Sequence, residues 1–304
     1  MTSPEWEAEH VVGPDRAAAL VAAQFPSLRG LPVEPMAQGW DNTVHLVGEE
    51  WVFRFPRRAM ALPGFRREIA VLPRVAASLP LAVPVPELVG EPAADYPWPF
   101  WGARLIPGTE LAEAAVPDGA RVELGRRTGE FLRVLHEPPL ATVAGALPVD
   151  PMRRADAGLR AAMADEWLGR LRRRGFTVED GTLGRLLEEG ARLGPPSGEP
   201  RLAHGDLHVR HLLVDGDGAA CGVVDWGDVC VADPAVDLSL AYAAFAGAAR
   251  EALLDEYGGV SRERELRARI LAVCLSAVLA EYAAAEGRDA LLVEALGGLD
   301  RAVV

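Results

Sequence analysis

Hydrophobic and polar positions along the chain switch repeatedly between a helical and a strand-like period. Residues 13–24 carry apolar side chains at helical spacing, with Asp15 placed as a cap ahead of an alanine-rich run. From Val33 to Phe55 the period shortens to an alternation rich in β-branched and aromatic residues. Turn-forming segments at Ala37–Asn42 and Gly48–Glu50 punctuate it. Helical spacing returns over Arg66–Ala77, and a proline-rich stretch from Pro80 to Pro86 precedes strand-like segments at Glu87–Gly90 and Phe100–Ile106. Beyond Pro107-Gly108 the pattern is helical. Asp118 stands where it would cap a helix over Gly119–Glu137, with Val122, Leu124, Phe131, Leu132 and Leu135 on one face. Further helices are predicted at 153–174, 181–193, 234–256, 262–285 and 288–299. The one β pattern after residue 110 is a pair of short apolar runs, Leu212–Val214 and Cys221–Val224, joined by Asp215-Gly216-Asp217-Gly218, a hairpin signal. The fold class that follows is α+β: a β-rich N-terminal lobe over 1–103, a link at 104–108 and a mainly helical C-terminal lobe over 109–304.

The hairpin gives the chain its chemistry. Asp206 lies in a polar loop with His204 and Gly205, His211 follows at the edge of the first apolar run, and Asp225 ends the second. Folding the hairpin returns Asp225 to the loop that carries Asp206. One carboxylate can then accept a proton from a substrate hydroxyl, while the other holds a divalent ion on nucleotide phosphates. Phosphoryl transfer needs that division of labour, because its catalysis is mostly positioning plus neutralisation of phosphate charge. Three histidines at 204, 208 and 211 raise the alternative of a zinc site, but Gly205 and the β run after His211 interrupt the helix that such spacing would require.

The sequence His204-Gly205-Asp206, His211, and Val224-Asp225-Trp226-Gly227, followed by Asp233-Pro234-Ala235-Val236-Asp237-Leu238, resembles the aminoglycoside phosphotransferase family of small-molecule kinases. The order and spacing of three such blocks make the resemblance specific, and it extends over the chain apart from its first dozen residues. It implies a bilobal protein-kinase-like fold, with Asp206 as catalytic base and Asp225 as a ligand of Mg2+. The family pattern has Asn where this chain has His211. Imidazole nitrogen is a poorer Mg2+ ligand than an amide oxygen, so His211 either binds metal with altered preference, reaches it through water, or contacts phosphate. The macrolide phosphotransferase branch is similar in carrying His there. Only seven residues separate Asp225 from Asp233, which leaves no room for the activation loop and peptide platform of a protein kinase.

Composition sharpens one assignment. The chain has 304 residues and no lysine, so all 31 of its basic residues are arginine. Kinase-type sites place a lysine on the third strand of the N-terminal lobe, paired with a helix glutamate, to hold phosphates. Arg54, in Trp51–Arg58, occupies the matching strand, and Glu68 is the expected partner. Guanidinium stays charged and can clamp phosphate in a fork. The resemblance further implies that the turn with Gly39 and Asn42 covers the phosphates of ATP or GTP and that the backbone of Ala103–Ile106 reads the purine edge. Asp228, three residues past Asp225 in a loop, and Glu166 in the helical lobe are candidates for the substrate rim. Asp237 is expected to brace the catalytic loop.

Net charge is −13. Nucleic acid and anionic membrane both need a basic footprint, so neither is an expected partner, whereas a cationic small molecule would be attracted. No apolar run approaches the ~20 residues that span a bilayer, and Ile270–Leu279 reads as a buried helix. Met1–Glu7 lacks the features of a secretory signal, and Cys221, Cys230 and Cys274 have no framework spacing. A cytoplasmic protein with free thiols is expected. The acceptor class is a hydroxylated small molecule: an aminoglycoside fits the acidic charge, a macrolide fits His211, and a nucleotide-binding protein without transfer activity is the competing class.

Overall fold

A computed structural model describes residues 8–39, 41–178 and 181–304. Trp40 in the expected phosphate turn and the N-terminal Met1–Glu7 lie outside the described residues. The chain forms two compact units, residues 1–77 with 83–106, and residues 78–82 with 107–304.

The first unit contains helices α1 (Pro14–Gln24) and α2 (Leu62–Val75) and strands β1 (Val33–Gln38), β2 (Asn42–Val47), β3 (Trp51–Pro56), β4 (Leu88–Gly90) and β5 (Phe100–Arg104). The strands build one antiparallel sheet in the order β1-β2-β3-β5-β4. Alternation along β3 decides what each face buries. Phe53 and Phe55 project into an aromatic core with Tyr96, Trp98 and Phe100, to which α1 adds Leu20 and Val21. Arg54 points to the opposite face, opposite Trp101 in register, where Phe65 and Ile69 of α2 pack against Trp101 and Ala103. Both faces of the sheet are therefore covered, and an arginine can be internal only with a partner. Asp15 does not cap α1: Gly13 holds that position without a side-chain bond, and Asp15 stands inside the first turn. α2 starts a turn earlier than its spacing predicts, because Pro63 supplies a preset φ at a position where its missing N–H costs nothing.

The second unit begins with β6 (Thr109–Glu110) and helices α3 (Leu111–Ala114), α4 (Val122–Leu135), α5 (Pro138–Ala144), α6 (Ala157–Arg173) and α7 (Gly181–Ala191). It continues through β7 (Arg201–Ala203), β8 (Leu212–Val214), β9 (Ala220–Val223) and β10 (Cys230–Ala232), then α8 (Ala235–Ala244), α9 (Gly247–Tyr257), α10 (Arg262–Glu286) and α11 (Asp289–Val303). β8 and β9 form the expected hairpin, extended by β6. The Asp215 carboxylate fixes its turn by accepting the N–H groups of Asp217 and Ala219, each at 3.0 Å. A second ribbon, β10 against β7, corrects the expectation of a single β pattern after residue 110. Asp118 does not cap α4 either. It opens a short 3-10 turn and accepts from Arg301 Nε at 3.1 Å, so a cation far along the chain holds the carboxylate that was expected to serve the helix. The predicted helix 234–256 is two helices, broken at Phe245-Ala246 where the chain becomes extended.

α10 is, among the described residues, the one helix long and apolar enough to cross a membrane, although Arg269 and Glu281 interrupt its apolar run. Most of that apolar stretch is buried within the unit, packed by α6, α8 and α11. The thiols of Cys221, Cys230 and Cys274 are free.

α4 approaches α9 closely through Gly125 and Gly129. A Cβ on Gly129 would stand 2.3 Å from the Leu253 carbonyl oxygen, and one on Gly125 2.3 Å from that of Ala249. Gly129→Ala is expected to lower stability by ~1–3 kcal/mol through overpacking, while Gly119→Ala, which meets nothing within 4 Å, stays near wild type. Thermal unfolding of the two variants checks this.

Candidate functional site

The loop from His204 to His211 is held from beneath by a buried carboxylate. Asp237, in the first turn of α8, accepts the backbone N–H of His204 at 2.8 Å and of Gly205 at 3.0 Å, and its Oδ2 also lies 3.2 Å from His136 Nε2. His136 Nδ1 in turn meets the Tyr257 hydroxyl at 3.0 Å. Burial alone would push the Asp237 carboxyl up, but the hydrogen bond and charge of His136, with His204 and the Gly205 N–H, hold it below the usual carboxylate value. Gly205 has φ +89°, and a Cβ there would stand 2.2 Å from the Asp228 carbonyl oxygen, so only glycine lets the loop pass at this point.

His204 ties the loop to the hairpin. Its Nδ1 accepts the N–H of Asp206 at 3.2 Å and its Nε2 donates to the Val224 carbonyl at 3.0 Å, while its ring packs on the buried Trp226. Val224 N–H donates to the His211 carbonyl at 2.9 Å, so the end of β9 lies against the start of β8. Asp225 follows directly, with φ +64°. A left-handed non-glycine backbone costs on the order of 1–3 kcal/mol, and aspartate tolerates it better than most residues.

His211 links the two carboxyl residues. Its Nδ1 donates to the Asp206 carbonyl at 2.8 Å, which fixes the tautomer and leaves Nε2 with a lone pair. That Nε2 lies 3.5 Å from Asp225 Oδ2. Two donors on one ion at ~2.0–2.2 Å stand about 3–3.5 Å apart, so Asp225 and His211 fit a shared divalent cation. Asp206, His208 and His211 also offer ligand atoms within 4.8 Å of one another. His208 is a poor member of that trio, because its Nδ1 accepts the Arg210 N–H at 3.3 Å and its proton must then sit on Nε2. His208 stacks on His211 at 3.8 Å between centroids, and burial, with the neighbouring His211, pushes it well below the ordinary imidazole value. Burial likewise lowers His204. Both rings are neutral at neutral pH.

Sequence reasoning missed Arg154. Its Nη2 lies 2.9 Å from Asp206 Oδ1 and 2.8 Å from Asp228 Oδ2, so Asp228, expected at a substrate rim, holds a guanidinium that also holds Asp206. Nothing in Met152-Arg153-Arg154-Ala155 sets that arginine apart from surface arginines on a helix. His136 and Tyr257 were equally invisible, since they meet Asp237 across the chain. Glu166, the other expected rim residue, is exposed on α6 and pairs with Arg170 at 2.5 Å.

In the first unit, Arg54 Nη1 donates to Glu68 Oε1 at 2.8 Å, with both side chains buried and the guanidinium 5.2 Å from the Trp101 ring. Turned so that its amide oxygen faces β3, Asn42 accepts from Arg54 Nη2 at 2.9 Å. The backbone of the adjoining turn is fixed by Arg57, which donates to the Gly39 carbonyl at 2.6 Å, and by the Arg58–Asp41 ion pair. Gly39 is not required by the chain itself: a Cβ there meets nothing nearer than the Asn42 carbonyl oxygen at 3.9 Å. Along β5, Leu105 N–H donates to Glu50 at 2.7 Å while the Gly102 carbonyl accepts from Glu87 at 3.0 Å. Alternation in an antiparallel ladder then turns the main-chain groups of Ala103 toward Val52, its partner in β3. Ala103 cannot present them to a purine; those of Arg104 point the other way. Trp101 and Phe100 are fully buried core.

Known proteins are similar to this chain along most of its length. Residues 32–272 match the model of the phosphotransferase enzyme family. The chain is similar over 94% of its length to the GDP and kanamycin complex of APH(2")-IIia, covering 97% of that chain at 22% identity with a TM-score of 0.67. It is similar over 94% of its length to macrolide 2'-phosphotransferase MphH from Brachybacterium faecium, covering 97% of that chain at 24% identity with a TM-score of 0.60. Macrolide 2'-phosphotransferase type I is similar over 96% of this chain and 98% of its own, at 24% identity and a TM-score of 0.58. At these identities the likeness shows the fold, a bilobal kinase-like one. A segment of 56 residues is 46% identical to the uncharacterized protein YcbJ of Bacillus subtilis (strain 168), covering 18% of each chain.

The Asp237 brace carries a prediction. A carboxyl held below its ordinary value of 3.8 contributes stability that is complete above that pH and is lost as pH falls through the lower folded value. Asp237→Asn should therefore cost ~2–4 kcal/mol at neutral pH, and its difference from wild type should shrink in acid below about 3.8. Denaturant unfolding of both proteins across pH measures it.

Proposed function

The chain belongs to the phosphotransferase enzyme family, and from that premise we propose that it transfers the γ-phosphoryl group of ATP or GTP to a hydroxyl of an antibiotic-type small molecule. The observation that carries this reading is His211, whose two ring nitrogens address the Asp206 main chain at 2.8 Å and the Asp225 carboxylate at 3.5 Å. A base for the acceptor and a ligand for the metal are thereby registered to each other. Asp206 acts as the general base for the acceptor hydroxyl. Asp225 and His211 hold Mg2+, which when bound neutralises phosphate charge and orients the phosphates. Arg54, steadied by Glu68 and Asn42, holds phosphate oxygens; Gly39 leaves room for the backbone to approach them; and Ile106, with Arg104, offers main-chain groups to the base.

An aminoglycoside is the favoured acceptor. The net charge of −13 draws a polycation, and one similar structure is a kanamycin complex. A macrolide is the second reading, supported by His211 at the Asn position and by the two macrolide phosphotransferases among the similar structures. A panel of aminoglycosides and macrolides, each incubated with ATP and with GTP, tests both through the mass increase of the acceptor. A phosphorylated aminoglycoside supports the first reading, and a macrolide product alone supports the second. Nucleotide binding with no product from any acceptor would leave a nucleotide-binding protein without transfer activity.

Two substitutions separate the roles. Asp206→Asn should lower kcat by ~10²–10⁴-fold, the range for removal of a general base, with nucleotide binding retained. His211→Asn replaces imidazole with a hard oxygen donor, so the ratio of activity with Co2+ to activity with Mg2+ should fall several-fold. Steady-state rates at saturating metal check the second, and an unchanged ratio would place His211 away from the metal.

A further inference from the structure

Arg154 belongs to none of the family blocks in the sequence, yet it is the cation closest to the Asp206 carboxylate among the described residues. Its backbone is built into place. Asp150 accepts the N–H groups of Arg154 at 2.7 Å and of Ala155 at 2.9 Å, and Asp150 N–H is itself bonded to the Val231 carbonyl of β10 at 2.9 Å. The turn that delivers Arg154 contains two non-glycine residues with positive φ, Asp150 at 32° and Arg153 at 51°. Such conformations persist only where the surroundings over-determine them. The Arg154 side chain is 13% exposed and that of Asp206 25%, so the guanidinium lies under a carboxylate that solvent still reaches.

Every other degree of freedom of Asp206 is already fixed. Its N–H is bonded to His204 and its carbonyl to His211. Arg154 takes Oδ1 at 2.9 Å. His208 Nε2 lies 3.8 Å from Oδ2, beyond hydrogen-bond range. One oxygen of the base is anchored and the other is open. Asp228 completes the arrangement: with it the trio carries one net negative charge, as Asp206 would alone, so the guanidinium orients the base without cancelling its charge. Burial would lower the Arg154 guanidinium, but the two carboxylates more than offset it and hold it up.

We infer that Arg154 is a positioning residue for the transfer reaction: tethered by Asp228, it fixes the Asp206 carboxylate through Oδ1 so that Oδ2 is the oxygen presented to the acceptor hydroxyl. The inference rests on the phosphotransferase reading. In the step concerned, the acceptor oxygen bonds to the γ-phosphorus and its proton passes to Asp206 Oδ2. The bond from that phosphorus to the β,γ-bridging oxygen breaks, and its electron pair leaves with the nucleoside diphosphate. Arg154 forms no bond to either substrate and gives up no proton.

The test compares wild type, Arg154→Ala, Arg154→Lys and Asp228→Asn in the full chain, with whichever acceptor the panel identifies. Arg154→Ala should lose on the order of 10²-fold in kcat, the scale of a misplaced catalytic group, with KM for acceptor and nucleotide within a few-fold of wild type. Guanidinium chloride at low, non-denaturing concentration should restore part of that kcat in Arg154→Ala and none in Asp206→Asn. Arg154→Lys should recover less than wild type, because an ammonium cannot bridge two carboxylates as a planar fork. Asp228→Asn should lower kcat by a smaller factor, and it decides the question if Arg154→Ala fails to fold. The inference is overturned by an unchanged kcat in the variant read, by a loss confined to acceptor KM, or by a loss that guanidinium does not touch and that tracks the folded fraction. A wild-type chain inactive on every acceptor would instead overturn the phosphotransferase reading beneath it.

Discussion

The second unit is organised around the buried Asp237. One carboxylate takes the N–H groups of two consecutive loop residues and a nitrogen of His136, and so closes the polar needs of a loop that no regular structure could satisfy. An unpaired buried carboxylate would be expensive, and unpaired buried amides nearly as much. Each removes the other's penalty. In the loop so held His204 reaches Val224 and His211 reaches the Asp206 carbonyl, and the geometry around Asp206 and Asp225 inherits that constraint.

The first unit solves the matching problem with a different cation. A guanidinium in a sheet covered on both faces needs a partner on the covering helix, and Glu68 supplies it. Asn42 accepts from Nη2 of the Arg54 head, and the Trp101 ring lies 5.2 Å from its guanidinium carbon. The arginine is therefore pre-oriented, as an ammonium on a flexible stem would not be.

How much of this the sequence disclosed depended on how local each feature is. The Arg54–Glu68 pair was legible because, in a chain without lysine, Arg54 stands on the strand where kinase-type sites keep a cation and Glu68 on the helix that follows. Asp206, His211 and Asp225 were brought to attention by spacing and a hairpin turn, and the structure gathers them in one unit. The three-residue strands β7 and β10 are too short to show a period. Asp15 and Asp118 have the right residue type for caps, yet one sits inside its helix and the other is taken by Arg301, 183 residues away. Arg154, His136 and Tyr257 could not be read, because their partners lie 52, 101 and 121 positions off, at Asp206, Asp237 and His136. The expectation for Ala103 failed on a single-residue parity that strand composition does not record.

The buried guanidinium of Arg54 has a bearing on how this chain would be found in a chemical survey. Nucleotide probes that acylate a phosphate-binding amine depend on a nucleophile that can lose its proton, and a guanidinium does not lose its proton in proteins. With no lysine anywhere in the sequence, such probes would pass this protein by even with the nucleotide seated, and their silence would describe the reagent and leave the pocket unjudged.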